Sequence, residues 1–190
     1  MFIVFLDSFM IIEIDNNLRL ELTSAKHADA LYHAVDNNRK HLSEFLPWVS
    51  NMKSISDFKD YIKNCENLYK EKKEVSFVII SGKDAVGRIG LHHINLQNKI
   101  AAIGYWITED AQGKGIITRA CKKLIPFGFH ELGLHRIEIK AAVNNLKSQA
   151  IPQKLNFKKE GILRGAEFVN GIFLDLVLYS MLRDEWKETA

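Results

Sequence analysis

A glycine-containing loop offers the clearest chemistry in the sequence. Residues 112–118 read Gln-Gly-Lys-Gly-Ile-Ile-Thr, with Gly113 and Gly115 near the centre and a helical pattern directly after it. Glycines let backbone N–H groups turn inward without Cβ clashes, and the first amides of a helix are unpaired at the positive end of its dipole. The spacing therefore predicts a site for a phosphate-bearing ligand, although a tight strand-to-helix turn would leave a similar sequence.

Two common phosphate-binding motifs do not fit this loop. A Walker loop would close with Gly-Lys-Ser/Thr, and a dinucleotide-binding loop would carry a third glycine. The loop instead resembles the acetyl-CoA loop of the GNAT superfamily of N-acetyltransferases, Gln/Arg-x-x-Gly-x-Gly/Ala, which falls here on Gln112, Gly115 and Ile117. The bulky Ile117 departs from the general pattern. With this residue, the loop sequence resembles that of the RimJ/RimL-type branch of the family. A second segment, residues 145–161, independently resembles the second half of that branch's pattern.

The resemblance implies acetyl-CoA as co-substrate and no metal. In the family, the pantetheine arm of CoA lies between two strands that splay apart, which here are the strands ending near Ile107 and Val143. The implied donor site consists of Trp106, Ile107, Thr108, Gln112, Gly113, Lys114, Gly115, Ile116, Ile117, Thr118 and Asn145. Most of these contacts would use the main chain. Asn145 has a second interpretation, a helix cap, which stays open.

The chemical step needs a neutral amine, a donor for the developing oxyanion and a thiolate that can leave. The positions at which the family often carries a Glu base and a Tyr acid are Ala102 and Pro152 here. The resemblance to the RimL-type branch implies replacements: Glu167 acts on the incoming amine through water, and Ser148 protonates the departing sulfur. Alternatively, Glu167 is a cross-strand partner and Ser148 a hydroxyl at a helix terminus.

The acceptor side is less sharply defined. The resemblance places the helices of residues 28–64 over the acceptor mouth, where Phe45 and Trp48 line it or belong to the core. An α-amine titrates near ~8 and a lysine amine near ~10.4. Removing the proton from the α-amine at neutral pH therefore costs roughly 3 kcal/mol less free energy. A site without strong acid–base residues therefore favours the N-terminal α-amine of a protein, by resemblance a ribosomal protein.

Two other functions stay open. Within the same fold, the acceptor could be a small amine such as a polyamine, an amino acid or an aminoglycoside, because specificity belongs to sites rather than folds. The carboxylates of residues 28–64 are scattered, which weighs against a polyamine. A protein of another class, a catalytically inactive acetyl-CoA-binding sensor, would also explain the missing Glu and Tyr.

The composition fits a single domain over residues 1–190. Hydrophobic residues make up 47% of the 190, and the formal charge of +3 is not gathered into a basic block, so no nucleic-acid surface is indicated. Cys65 and Cys121 form no Cys-x-x-Cys pair, so we expect reduced thiols and a cytoplasmic protein. His92 and His93 would face opposite sides of a strand, one in the core and one at the surface, and cannot easily share a metal.

The N-terminal stretch 1–12 is strongly apolar. It is too short to span a bilayer and lacks the features of a signal peptide, so we expect no association with a membrane. Residues 1–15 are interpreted as an extension, an edge strand or an oligomer contact. We expect a homodimer or higher homo-oligomer, formed through this stretch or through the last strands.

Hydrophobic periodicity predicts the elements that position these groups. Strands are predicted at residues 16–23, 75–80, 86–96, 100–107, 134–143, 160–169 and 172–182. Helices are predicted at residues 28–35, 39–45, 55–68, 118–132 and 145–155. Asn170-Gly171 predicts a hairpin turn between the last two strands. The predicted fold is α+β, with a mixed, mostly antiparallel central sheet, helices on both faces and the element order βααβββαβαββ, as in the acyl-CoA N-acyltransferase fold.

Overall fold

In the computed structural model, which describes residues 10–187, eight strands form one sheet. Along the chain they are β1 (Ile11–Asp15), β2 (Leu18–Leu22), β3 (Val75–Ser81), β4 (Asp84–Asn95), β5 (Ile100–Ile107), β6 (Arg136–Ala142), β7 (Lys158–Val169) and β8 (Ile172–Leu182). Across the sheet their order is β1-β2-β3-β4-β5-β6-β8-β7. Every neighbouring pair is antiparallel except β5 and β6, which are parallel.

Five α-helices accompany the sheet within the described range. They are α1 (Ala28–Asp36), α2 (Arg39–Leu42), α3 (Ile55–Lys70), α4 (Ile116–Pro126) and α5 (Leu146–Lys154). Parallel neighbours require a crossover connection, and α4 provides it between β5 and β6. The glycine loop is the turn that joins β5 to this crossover helix.

The sheet carries a hydrophobic core on each face. Successive side chains of a strand alternate between faces, and β3 follows this rule. Phe77 belongs to the core that contains Leu124 of α4, whereas Val78 belongs to the core that contains Leu31 of α1 and Phe58 of α3. Helices therefore cover both faces, as predicted.

The observed fold confirms the predicted class, a mixed and mostly antiparallel sheet between helices. The element order gains one strand, because β1 precedes β2. The three helices between β2 and β3 correspond to the three predicted within residues 28–68, of which the predicted string counts two. Ile11–Asp15 forms the edge strand beside β2 that was one interpretation of residues 1–15. Residues 1–9 of that stretch lie outside the described range, and the single domain over residues 1–190 stays a prediction.

Several local signals in the sequence set the ends of these elements. Ser54 accepts a hydrogen bond from the N–H of Asp57 and caps α3, as its position predicts. Ser24 precedes a short 3-10 turn, Ala25–His27, that leads into α1. Pro126 ends α4, and the chain continues through a π-helical turn to Gly133, whose φ is +65°.

No described helix is long and apolar enough to cross a membrane. Between residues 10 and 187, no three His, Cys, Asp or Glu side chains are grouped so that they could hold a metal ion.

Candidate active site

The parallel strands β5 and β6 separate partway along their length. Residues 100–103 of β5 pair with residues 136–139 of β6. Beyond these pairs, β5 continues to Ile107 beside β4 alone, and β6 continues to Ala142 beside β8 alone. The facing edges therefore carry backbone N–H and C=O groups without strand partners. This is the opening between strands that the family resemblance implies.

A cavity of about 360 Å³ lies at this opening and is lined by residues from both faces of the sheet. Of the predicted site residues, it brings together Phe45, Trp48, Trp106, Asn145, Ser148 and Glu167. The Trp48 and Trp106 ring centroids are 6.0 Å apart. A residue predicted to bind the acceptor amine therefore lies beside one predicted to bind acetyl-CoA. The lining also includes side chains that the sequence analysis did not select, namely Tyr61, Arg88, His92, Tyr105 and Lys140.

Glu167 lies just after a bulge in β7. From Leu163 to Glu167, β7 advances four residues while the paired stretch of β8 advances two, from Leu176 to Leu174. Gly165 in the bulge has a φ of +56°, and its N–H donates to a carboxylate oxygen of Asp175 at 2.7 Å. Bulges of this kind redirect side chains and are frequent beside active sites.

The Glu167 carboxyl group is half-buried and has no hydrogen bond or ion pair with any residue in the described range. Burial raises its pKa, because the charged form loses water without gaining a partner. A carboxyl group with a raised pKa is a better proton acceptor than an ordinary one.

Ser148 lies in the first turn of α5 and is held by two neighbours. Its N–H donates to the side-chain oxygen of Asn145 at 3.0 Å, so Asn145 caps the helix, as its second interpretation predicts. The hydroxyl of Tyr105 donates to the Ser148 carbonyl oxygen at 3.0 Å and lies 3.2 Å from its Oγ. Burial raises the pKa of Tyr105, which keeps this hydroxyl protonated. The role of Tyr105 is not evident from the sequence, because its position in a strand indicates only the face to which its side chain points.

The glycine loop is exposed and has the backbone that its sequence predicts. Gly113 and Gly115 have φ angles of +73° and +70°, and Gly115 directly precedes α4. Among the described residues, no backbone partner is present for the amides of residues 113–118, and the first turn of α4 carries no acidic side chain. The loop therefore presents unpaired N–H groups at the positive end of a helix dipole.

Side chains connect the loop to the helices around the cavity. The side-chain amide of Gln112 lies 2.7 Å from Nε2 of His41 on α2, and its oxygen accepts from Lys147 of α5 at 2.9 Å. Thr108 is directed elsewhere: it lines a second, more open cavity of about 690 Å³ beside α1, and its buried hydroxyl has no partner in the described range.

A buried charge network lies behind one wall of the first cavity. Arg88 of β4 donates to one carboxylate oxygen of Glu74 at 3.1 Å, and its guanidinium lies 4.7 Å from the ring centroid of Tyr61. Burial lowers the pKa of Arg88 to about 9. The other oxygen of Glu74 lies 3.0 Å from Nδ1 of His92. We expected one of the two adjacent histidines in the core and the other at the surface. His93 is exposed, but His92 is a partly exposed residue of the cavity wall and not a core residue.

The chain is similar to known acetyltransferases along most of its length. Residues 17–158 match the family model described as the acetyltransferase (GNAT) domain. Over 176 residues the chain is 35% identical to a putative ribosomal N-acetyltransferase, YdaF, of Bacillus subtilis (strain 168), which covers 92% of this chain and 96% of that protein.

Solved structures show the same similarity. RimL, a ribosomal L7/L12 alpha-N-protein acetyltransferase in complex with coenzyme A, superposes with a TM-score of 0.89 at 27% identity, over 93% of this chain and 99% of that one. The microcin C7 self-immunity acetyltransferase MccE, in complex with acetyl-CoA and AMP, superposes with a TM-score of 0.86 at 31% identity, over 90% of this chain and 95% of that one. The matched family segment includes the glycine loop and Ser148, and Glu167 lies beyond it.

We expect Glu167→Gln to raise the free energy of unfolding at pH 7, because an uncharged amide removes the cost of burying an unpartnered carboxylate. Folding raises the pKa of Glu167, so this cost grows as the pH rises through the folded-state pKa and is absent well below the ordinary value of about 4.3. Urea unfolding should therefore show a gain at pH 7 that shrinks towards zero at pH 4.

The exposed Glu131 provides the matched control, and Glu131→Gln should leave the unfolding free energy unchanged at both pH values. A loss of stability in Glu167→Gln at pH 7 would contradict the absence of a stabilising partner.

Proposed function

Because the chain belongs to the acetyltransferase (GNAT) domain family and is an acetyl-CoA-dependent N-acetyltransferase, we propose that its acceptor is the N-terminal α-amine of a protein. A ribosomal protein is the acceptor that the names of YdaF and RimL favour. The observation that carries the proposal is the cavity at the β5–β6 opening, where Glu167, Ser148 and the aromatic side chains of the acceptor helices meet.

The donor would extend from the glycine loop to this cavity. The amides of residues 113–117 and of Thr118 bind the pyrophosphate, with Lys114 and Gln112 beside it. The unpaired backbone groups of Trp106 and Ile107 bind the pantetheine arm, and the Thr108 side chain stays in the second cavity. The side-chain oxygen of Asn145 already caps α5, so its NH2 group is the part left to donate to the arm. An extended amide-containing arm suits this gap, since it supplies partners for backbone groups that otherwise lack them.

Acetyl transfer would then proceed by direct attack. The amine nitrogen bonds to the thioester carbon, a backbone N–H near Ile107 stabilises the oxyanion, and the C–S bond breaks. Glu167 accepts a proton from the amine, through water. Ser148 donates a proton to the departing sulfur, and the Tyr105 hydroxyl beside it fixes its position.

The charges of the cavity favour an α-amine over a polyamine. Lys140 is a cation in its lining, Arg88 there is paired with Glu74, and Glu167 is the carboxylate among the described lining residues. The second ammonium group of a polyamine would find no further carboxylate in this lining. Phe45 and Trp48 provide apolar contacts instead, which suit the first side chains of a polypeptide.

We expect Glu167→Gln to lower kcat/KM for a peptide α-amine by about 100-fold, since a positioned general base contributes roughly that factor. Release of free thiol from acetyl-CoA is measured with N-terminal peptides, lysine side chains, spermidine, amino acids and aminoglycosides. The affinity for CoA should stay unchanged, and Glu131→Gln should match the wild type. Turnover of lysine side chains or spermidine with none of peptide α-amines would contradict the proposed acceptor.

We expect Gly115→Ala to weaken CoA binding about tenfold in calorimetry. A residue with a side chain pays about 1–2 kcal/mol to adopt the left-handed conformation. This cost opposes the loop conformation that presents the amides to CoA, so it appears as a loss of binding free energy. Gly133→Ala is the control, because Gly133 has a similar φ of +65° but lies at the other end of the crossover segment. Equal losses of affinity in both variants would contradict a specific role of the loop.

We also propose that the chain forms a homodimer or higher homo-oligomer through the β7–β8 hairpin. Several large apolar side chains of this edge are exposed: Ile162, Leu163, Phe168, Ile172 and Phe173. The Phe168 and Phe173 rings pack together across the hairpin, with 4.8 Å between centroids. Exposed patches of this kind often mark protein–protein contacts.

We expect Phe173→Ser to reduce the mass measured by sedimentation equilibrium to that of a monomer. Ile11→Ser removes a comparably exposed apolar side chain at the opposite edge of the sheet, so this control should keep the wild-type mass. A wild-type chain that sediments as a monomer would refute the proposal.

A further inference from the structure

His92 is a cavity-wall histidine held from behind by a carboxylate. Its Nδ1 lies 3.0 Å from one oxygen of Glu74, and the other oxygen of Glu74 accepts from the buried Arg88 at 3.1 Å. Arg88 in turn lies over the ring of Tyr61. Glu74 is thus fixed on both oxygens, and it fixes the orientation of the imidazole.

Two glycines provide the space for this imidazole. Gly90 and Gly104 are directly opposite each other on β4 and β5. A Cβ atom on Gly90 would lie 3.0 Å from Nε2 of His92, and one on Gly104 would lie 3.1 Å from Cδ2 and 3.3 Å from Nε2. The ring therefore lies across the glycine pair, where any larger side chain would crowd it.

The second ring nitrogen is left free for chemistry. No residue in the described range hydrogen-bonds to Nε2 of His92. A carboxylate facing Nδ1 favours the tautomer with its proton on Nδ1. The lone pair of Nε2 is then available in the cavity that contains Glu167 and Ser148.

A second proton acceptor would let the acceptor amine bind and react in its protonated form. A protonated primary amine loses two protons when it becomes an amide, and one carboxylate can accept only one of them at a time. An α-ammonium group, with an ordinary pKa of about 8, gives its proton more readily to an imidazole than to a carboxylate, whose ordinary pKa is about 4.3.

We propose that Nε2 of His92 accepts the first of these protons, from the ammonium group of the acceptor, while Glu74 positions the ring. The inference rests on the proposed function and holds for any primary amine. The freed nitrogen lone pair forms the C–N bond, and Glu167 takes the second proton. The C–S electron pair leaves with sulfur, which is protonated by Ser148, and Ser148 recovers a proton from Glu167 through water. His92 releases its proton to solvent.

Other titratable groups surround His92 and would also contribute to a pH profile. They are Glu74 before β3, Arg88 on β4 itself, Tyr61 on α3, Tyr105 on β5, Lys140 on β6 and Glu167 on β7. The test therefore compares profiles of variants that differ at His92 alone.

We expect His92→Gln to lower kcat/KM for a peptide α-amine about tenfold at pH 7, because about a tenth of an amine with a pKa of about 8 is unprotonated there, and to leave CoA affinity unchanged. Only the free amine would then react, so the acidic limb of the pH profile moves up to the pKa of the amine itself, about 8 for an α-amine. With an α-amine, the variant approaches the wild type above pH 9. The acceptor is a short peptide with a free α-amine or, if the wild type prefers it, a lysine peptide or spermidine.

His93→Asn is the matched control. His93 is the adjacent histidine, is exposed, is not part of the cavity lining, and has a φ of +52° that Asn tolerates. Its profile should coincide with that of the wild type. If His92→Gln fails to fold, His92→Asn replaces it, because its amide keeps a donor near the Nδ1 position.

An acidic limb that stays at the wild-type position in the His92 variant, whatever its overall rate, would overturn the proposal. In His92→Ala, added imidazole should restore turnover by occupying the space over Gly90 and Gly104. A wild-type preference for lysine or spermidine would refute the proposed acceptor alone, since the limb would still be compared with the pKa of that amine.

Discussion

The structure depends on the separation of β5 from β6 after four paired residues. Each strand keeps its outer partner, so the sheet stays continuous at one end and opens at the other. Unpaired backbone groups inside a sheet are costly, and a peptide-like ligand is the simplest way to satisfy them. The crossover helix, the loop before it and the cavity all take their positions from this opening.

The sequence predicted most of this framework because the signals are local. Alternation gave the strands, Asn170-Gly171 gave the last hairpin, and the glycines gave the loop before α4. Glu167 and Ser148 came from resemblance, and the structure brings them to one cavity. Their chemical roles stay predictions.

What the sequence could not predict depends on register. Alternation places His92 on one face of β4, but its environment depends on Glu74, eighteen positions earlier, and on the alignment of Gly90 with Gly104. For the same reason the sequence did not reveal the bulge before Glu167, which exists only relative to β8. The register between neighbouring strands, and not the local sequence, determines both the environment of His92 and the bulge before Glu167.

The cavity is lined from both faces of the sheet, and this has a consequence for the order of events. In the proposed function acetyl-CoA and the amine occupy their sites together, and catalysis would pass through a ternary complex. Both cysteines of the chain are buried, and burial raises the pKa of each thiol, that of Cys65 to about 12, so neither offers a thiolate to carry the acetyl group. Initial-rate plots for the two substrates should therefore intersect, as in a sequential mechanism, and not run parallel as in a ping-pong mechanism.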